Sequence, residues 1–245
     1  MRRSGSKQLL FWLMTASLPL GSCKMTAGSG QQSVAAPSDP TTPTPSPMPT
    51  PTPAPSPIPE LMKATDWEIG PIIDGKNYSH NVPLNPIQDA DGSWHIDIPQ
   101  SDGVHYVTRH FGSLAGKTKI TIHYRIEMAD GVKIVPSTEP DGPSMGPVLY
   151  FQRKGDNWNS DGWRWWATFN VPHPIVAGEF ELSVPLDGAW TSVQTETAAN
   201  SPGDFYQAKE YADRVGFTLG GGTGYGHGVY ATGQARIVVT DFRIE

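Results

Sequence analysis

Residues 154–169, KGDNWNSDGWRWWATF, hold the densest chemistry in this sequence. Four tryptophans (Trp158, Trp163, Trp165, Trp166) are interleaved there with Asn157, Asn159, Asp161 and Arg164. An indole ring offers a flat apolar surface, and Asn, Asp and Arg add hydrogen bonds of defined direction. Such a set suits a ligand with an apolar face and a rim of hydroxyls, which describes a sugar ring. Successive residues of a strand point to opposite faces. Trp163, Trp165, Ala167 and Phe169 therefore share one side of a strand over 163–169, and Arg164, Trp166 and Thr168 the other. One set is expected to enter the core, which leaves an exposed Trp beside an Arg. With the preceding Arg153, the ligand-binding candidates are Arg153, Asn157, Trp158, Arg164 and Trp166. The competing reading is that all four Trp are core, the usual fate of Trp in a β-sandwich.

Residues 219–232, LGGGTGYGHGVYAT, carry six glycines in fourteen positions. The phosphate-loop pattern G-x-x-x-x-G-K-[ST] is missing and no helical pattern follows. The run reads instead as a strand entering a wide glycine turn that carries Tyr225, His227 and Tyr230. Tyr225 and His227 join the ligand candidates. His123 and Arg125 alternate on one strand and share its outer face, with Tyr124 pointing inward. A base and a charge-neutralising cation so placed would suit a polysaccharide lyase. Glu179 and Glu181 alternate in the same way, and glycoside hydrolysis needs paired carboxylates, but the solvated face of an amphipathic strand explains them. No H-E-x-x-H and no G-x-S-x-G occurs, so zinc hydrolysis and a serine elbow lack their motifs. Glycan binding without turnover is the leading expectation. Polysaccharide degradation and an envelope adhesion or assembly module with a protein partner are the alternatives.

The elements that position these residues read as all-β. In residues 119–128, KITIHYRIEM, Ile120, Ile122, Tyr124, Ile126 and Met128 alternate with polar residues over ten positions. This is the signature of a half-buried antiparallel strand. Shorter alternations run through 94–98, 180–186 and 215–219, and residues 148–153, 163–169 and 236–244 are further strands. Asp-Gly pairs at 91–92, 102–103, 130–131, 141–142, 161–162 and 187–188 mark turns between them. Eight to ten strands in residues 61–245 predict a two-layer antiparallel β-sandwich of jelly-roll type, with a closed barrel as the alternative. Residues 137–147 and 196–206 read as long loops. One helical stretch is expected, over 207–214.

The N-terminal quarter has another composition. Of 24 Pro, eleven fall within residues 37–59, and 43–59 read PTPSPMPTPTPAPSPIP. Each Pro fixes its own φ and disfavours helix in the residue before it, so the segment is expected to be an extended tether. At about 3.1 Å per residue, residues 37–59 would reach roughly 70 Å. A docking site for a proline-recognition module and a glycosylated stalk are the other readings of such a tract. Ahead of it stand Arg2, Arg3 and Lys7, an apolar run over 9–20, and Gly21-Ser22-Cys23. A basic start, a short apolar core and small residues before a cut describe a secretory signal over residues 1–22. Its removal takes three cations and no acid, so the formal net charge falls from −6 to −9. A chain that acidic has no electrostatic footprint for nucleic acid. One Cys also excludes a disulfide scaffold.

Two resemblances follow from these residues. Leu20-Gly21-Ser22-Cys23 resembles the bacterial lipobox, which implies lipidation of Cys23 and anchorage to a bilayer in the cell envelope. Lys24, rather than Asp, follows the Cys and implies the outer membrane. Over residues 62–245 the order of elements is similar to carbohydrate-binding-module and galactose-binding-like jelly rolls: a tether, a Trp-containing first strand, Arg- and Trp-rich central strands, and a last strand ending VTDFRIE. Such modules often hold a structural Ca²⁺ between first and last strands. By position Glu68, Asp74 and Asp241 are the candidate ligands, although no Asp-rich calcium loop is present.

Overall fold

The computed structural model describes residues 60–138, 145–167, 175–193, 196–221 and 226–245. The leader, Cys23, the tether, Phe169 and Tyr225 lie outside the described residues. Within them the strands are β1 (Trp67–Gly70), β2 (Ile72–Ile73), β3 (Lys76–Asn77), β4 (Ile87–Gln88), β5 (Trp94–Asp97), β6 (Tyr106–His110) and β7 (Lys119–Met128). There follow β8 (Ile134–Pro136), β9 (Met145–Arg153), β10 (Arg164–Trp166), β11 (Gly178–Pro185), helix α1 (Pro202–Glu210), β12 (Ala212–Gly220), β13 (Val229–Ala231) and β14 (Ala235–Ile244). Ten of them make two five-stranded antiparallel sheets, in the orders β1-β6-β12-β9-β10 and β11-β7-β14-β5-β4. The two layers form the β-sandwich that the alternating patterns predict.

Period-two patterning sets the interior. β7 buries Ile120, Ile122, Tyr124 and Ile126 toward the first sheet, which offers Trp67, Ile69, Val107, Leu149, Phe151, Val215 and Phe217 in return. Rings lock the layers together: Trp67 lies 4.9 Å from both Trp94 and Phe242, and Trp94 stacks on Phe217. β14 keeps its apolar residues inward across a bulge. Val239 pairs with Tyr124 and Asp241 with His123, so Thr240 is the inserted residue. The inward set then changes phase from Ile237 and Val239 to Phe242, as an extra residue requires.

Four expectations about elements need correction. The helix occupies Pro202–Glu210 rather than 207–214, and from Ala212 the chain is already strand, with Ala212 paired to Arg153. Pro202 in the first turn lacks only an N–H that a helix start leaves unused, and Phe205 and Ala208 supply the buried stripe. Residues 196–206 are therefore partly helix rather than one long loop. Within 163–169, strand β10 is confined to Arg164–Trp166. Tyr230, placed by the glycine pattern on a loop, belongs to β13.

Candidate functional site

The outer face of the first sheet is built by register. Glu68 faces Thr108 across β1 and β6, Thr108 faces Gly216 across β12, Gly216 faces Tyr150 across β9, and Tyr150 faces Trp166 across β10. The neighbouring row sets His110, Arg214, Gln152 and Arg164 side by side. Residues directly opposite in a ladder lie on one face, so both rows point away from the interior. Gly216 lets the strands close up there, since a Cβ would meet the Val107 carbonyl oxygen at 2.1 Å. A second small apolar cluster covers this face: Tyr106, Val148, Tyr150 and Trp166 are buried, with Trp158 and Val193 packed on them. Tyr106 meets Tyr150 edge-on at 5.1 Å and Trp158 edge-on at 5.6 Å.

Asp156 organises the loop that carries Trp158. Its carboxylate is fully buried and pairs with the Arg164 guanidinium at 3.0 Å. It also accepts a hydrogen bond from Gln152 Nε2 at 2.9 Å and one from the Trp158 backbone N–H at 2.8 Å. Arg164 donates in turn to the carbonyls of Trp158 and Ser160, and its guanidinium lies 5.0 Å from the Trp158 ring. Trp158 sits at φ +67°, a left-handed conformation that a bulky side chain adopts only when its surroundings impose it. The Asp156 turn and the Arg164 clamp are those surroundings.

Two adjoining hollows open on this face and share Pro71, Tyr106 and Trp158. The larger, about 320 Å³, is mainly apolar, with Ile73, Tyr78, Trp166 and Val193 in its walls and His105 and His227 at one side. The smaller, about 140 Å³, is polar, lined by Glu68, Thr108, Gln152, Arg153, Asp156 and Arg214. Gly226 packs directly on Tyr106, where a Cβ would come within 2.5 Å of the ring. Arg153 closes the polar end. Its guanidinium lies 4.6 Å from the Trp163 ring and 5.5 Å from that of Tyr211, and it donates to Gln207 Oε1 at 3.3 Å. Arg214 donates to Glu68 at 2.9 Å and Thr108 at 3.3 Å, and its other terminal nitrogen lies 3.3 Å from His110 Nε2.

The site's ionisable groups are held by burial. Desolvation lowers the His105 imidazole below the ordinary histidine value, partly opposed by the Gly226 carbonyl 3.1 Å from Nδ1. Burial likewise raises the Tyr106 and Tyr150 hydroxyls well above the usual phenol value. Both phenols stay neutral and present no oxyanion at physiological pH.

Of the residues singled out in the sequence, Arg153, Trp158, Arg164, Trp166 and His227 come together around the two hollows. The expectation of an exposed Trp beside an Arg is met differently from the strand pattern. Trp166 is only 2% exposed, and the half-buried Trp158, on the preceding loop, supplies the accessible ring. Asn157 is exposed, and its Oδ1 accepts the Asn159 N–H. His123 and Arg125 lie elsewhere, on the outer face of the second sheet. There His123 neighbours Glu181 at 3.6 Å and Arg243 at 3.0 Å, and Arg125 pairs with Glu127. The candidate calcium ligands are dispersed: Glu68 is on the first sheet with Arg214, Asp241 is on the second with Arg243 at 2.6 Å, and Asp74 occupies the exposed β2–β3 turn. Among the described residues no group of three His, Cys, Asp or Glu is placed to hold a metal ion.

Comparison with known proteins leaves the geometry to speak for itself. No family model matches the chain, and no curated protein matches it in sequence. Sequence reasoning passed over Asp156, Tyr106, Gln152, Tyr78, His105 and the Glu68–Arg214 pair. Asp156 alone carried a local signal, the Asp two residues before Trp158 that makes an Asx turn.

Proposed function

We propose that this protein is a lipid-anchored cell-envelope protein that holds a glycan, without turnover, in the paired hollows on the outer face of its first sheet. The observation that carries the reading is Trp158. A half-buried indole, forced to positive φ by Asp156 and clamped by Arg164, forms a wall shared by an apolar and a polar hollow. A sugar ring would stack its C–H face on indole and phenol rings and direct its hydroxyls to Gln152, Arg153 and Arg214. Two of the three carboxylates at the site are engaged by arginines, Asp156 by Arg164 and Glu68 by Arg214, and the third, Asp213, has His110 Nδ1 at 3.2 Å. That favours binding over acid–base chemistry. Lipidation of Cys23 and the proline tether would set the site away from the bilayer.

The test is titration of the purified protein with a panel of neutral and charged oligosaccharides, followed by binding and by release of reducing or unsaturated ends. Saturable binding without release supports the reading. Trp158→Gly should weaken it at least about tenfold, the loss of one stacking contact. Absence of binding at millimolar ligand removes the reading, and release of product replaces it with an enzyme.

A further inference from the structure

We infer that the site selects uncharged sugars and rejects uronates, and that the Glu68–Arg214 ion pair enforces the choice; this rests on the glycan-binding reading. Three guanidinium groups line the hollows, those of Arg153, Arg164 and Arg214. Three cations at a sugar site would ordinarily point to an acidic ligand. Here two are already neutralised: Arg164 by the fully buried Asp156 at 3.0 Å, and Arg214 by Glu68 at 2.9 Å. Asp213, also in the polar wall, has His110 Nδ1 at 3.2 Å. Among the described residues Arg153 is the lining cation with no carboxylate partner, and its guanidinium is occupied by Trp163, Tyr211 and Gln207.

Glu68, Asp156 and Asp213 thus balance Arg153, Arg164 and Arg214, and the two hollows together present no net charge to a ligand. A uronate entering it would have to displace a native carboxylate or lie beside one, and like charges in a partly enclosed site repel. Neutral hydroxyls meet no such barrier. They can accept from guanidinium N–H groups and donate to carboxylate oxygens without breaking a pair. Glu68 is the carboxylate whose removal would change this. It is partly exposed, and its loss leaves the Arg214 guanidinium facing the polar hollow. Asp156, buried beneath Trp158, is bound to the fold as well as to the charge balance.

The experiment compares a neutral oligosaccharide with its uronate counterpart of matched linkage, using the purified protein and its Glu68→Gln variant. The native protein should bind the neutral ligand at least about tenfold more tightly. That affinity should barely change between about 50 and 500 mM NaCl. Glu68→Gln should raise affinity for the uronate by about tenfold, and the gain should vanish when Arg214→Gln is added. Equal or tighter uronate binding by the native protein overturns the inference while leaving glycan binding intact. A folded Glu68→Gln protein with unchanged uronate affinity also overturns it. Failure of both ligands to bind removes the glycan reading itself, and the inference falls with it.

Discussion

At the scale of single residues, Asp156 is the point on which the site turns. It anchors Arg164, Gln152 and the Trp158 backbone from a fully buried position. Removing one partner of a buried ion pair leaves the other charge uncompensated, a loss of about 3–5 kcal/mol. Asp156→Ala should therefore lower the urea midpoint sharply; a drop worth under about 1 kcal/mol would mean that the pair is open to water. Trp158→Gly should leave stability nearly unchanged. Losing the ring removes contacts with Tyr106 and Arg164, but glycine relaxes the positive φ, so stability should stay within about 1 kcal/mol of native. Binding lost with the fold intact is the expected outcome, read from a glycan titration beside a thermal melt.

At the scale of elements, the strands differ in how openly they declare themselves. In β7 the apolar residues alternate without fault with polar ones because one face is core and the other is a polar surface. On that surface Thr121 is buried, His123 and Arg125 are half-buried and Glu127 is exposed, and the strand's bounds match the pattern at both ends. β6 is built differently: Tyr106, Val107, Thr108 and Arg109 are all buried. Its inner face meets the sandwich core and its outer face lies under the aromatic cluster, so polarity does not alternate and no period-two signal arises. That strand carries Tyr106, which is shared by both hollows. The Gly226–Gly228 segment depends on an element of the same kind. His105, just before β6, places Nδ1 beside the Gly226 carbonyl, and a Cβ on Gly228 would come within 2.5 Å of its ring. Because burial lowers its native pKa, the unfolded chain takes up the proton more readily between that lowered value and about 6.5. Stability should rise with pH through that window and fall on acidification. The neighbouring His227 and His80 push the His105 value down further. Urea midpoints at about pH 5 and pH 7.5 should differ more for the native protein than for His105→Asn, which keeps a donor in place of Nδ1. An equal difference in both proteins would remove His105 as the cause.

At the scale of the whole molecule, the proposal joins a lipid anchor, a spacer and a binding domain. Cys23→Ser should abolish lipidation and move the protein from the membrane fraction to the soluble one, checked by fractionation and by the mass of the N-terminal peptide. Membrane retention of that variant would mean that another feature anchors it. How much was readable from residues alone depended on how local the physics was. Strand alternation is a property of neighbours, so the all-β class and seven of the strands could be read directly. The proline-rich run over residues 37–59 and the resemblance of residues 20–23 to a lipobox also rest on local patterns. The choice of Trp158 over Trp166 as the accessible ring was not local. It followed from Val193 and the Trp158 loop closing over β10. The pairings of Asp156 with Arg164 and of Glu68 with Arg214 were also beyond reach; the latter joins residues 146 positions apart through the register of β1, β6 and β12. His123 and Arg125 show the converse. Their spacing puts them on one face, but which sheet that face belongs to, and therefore which ligand it could meet, is settled when the layers stack. Residue type and period specify what each segment can bury; long-range pairing selects which polar groups are left facing one another.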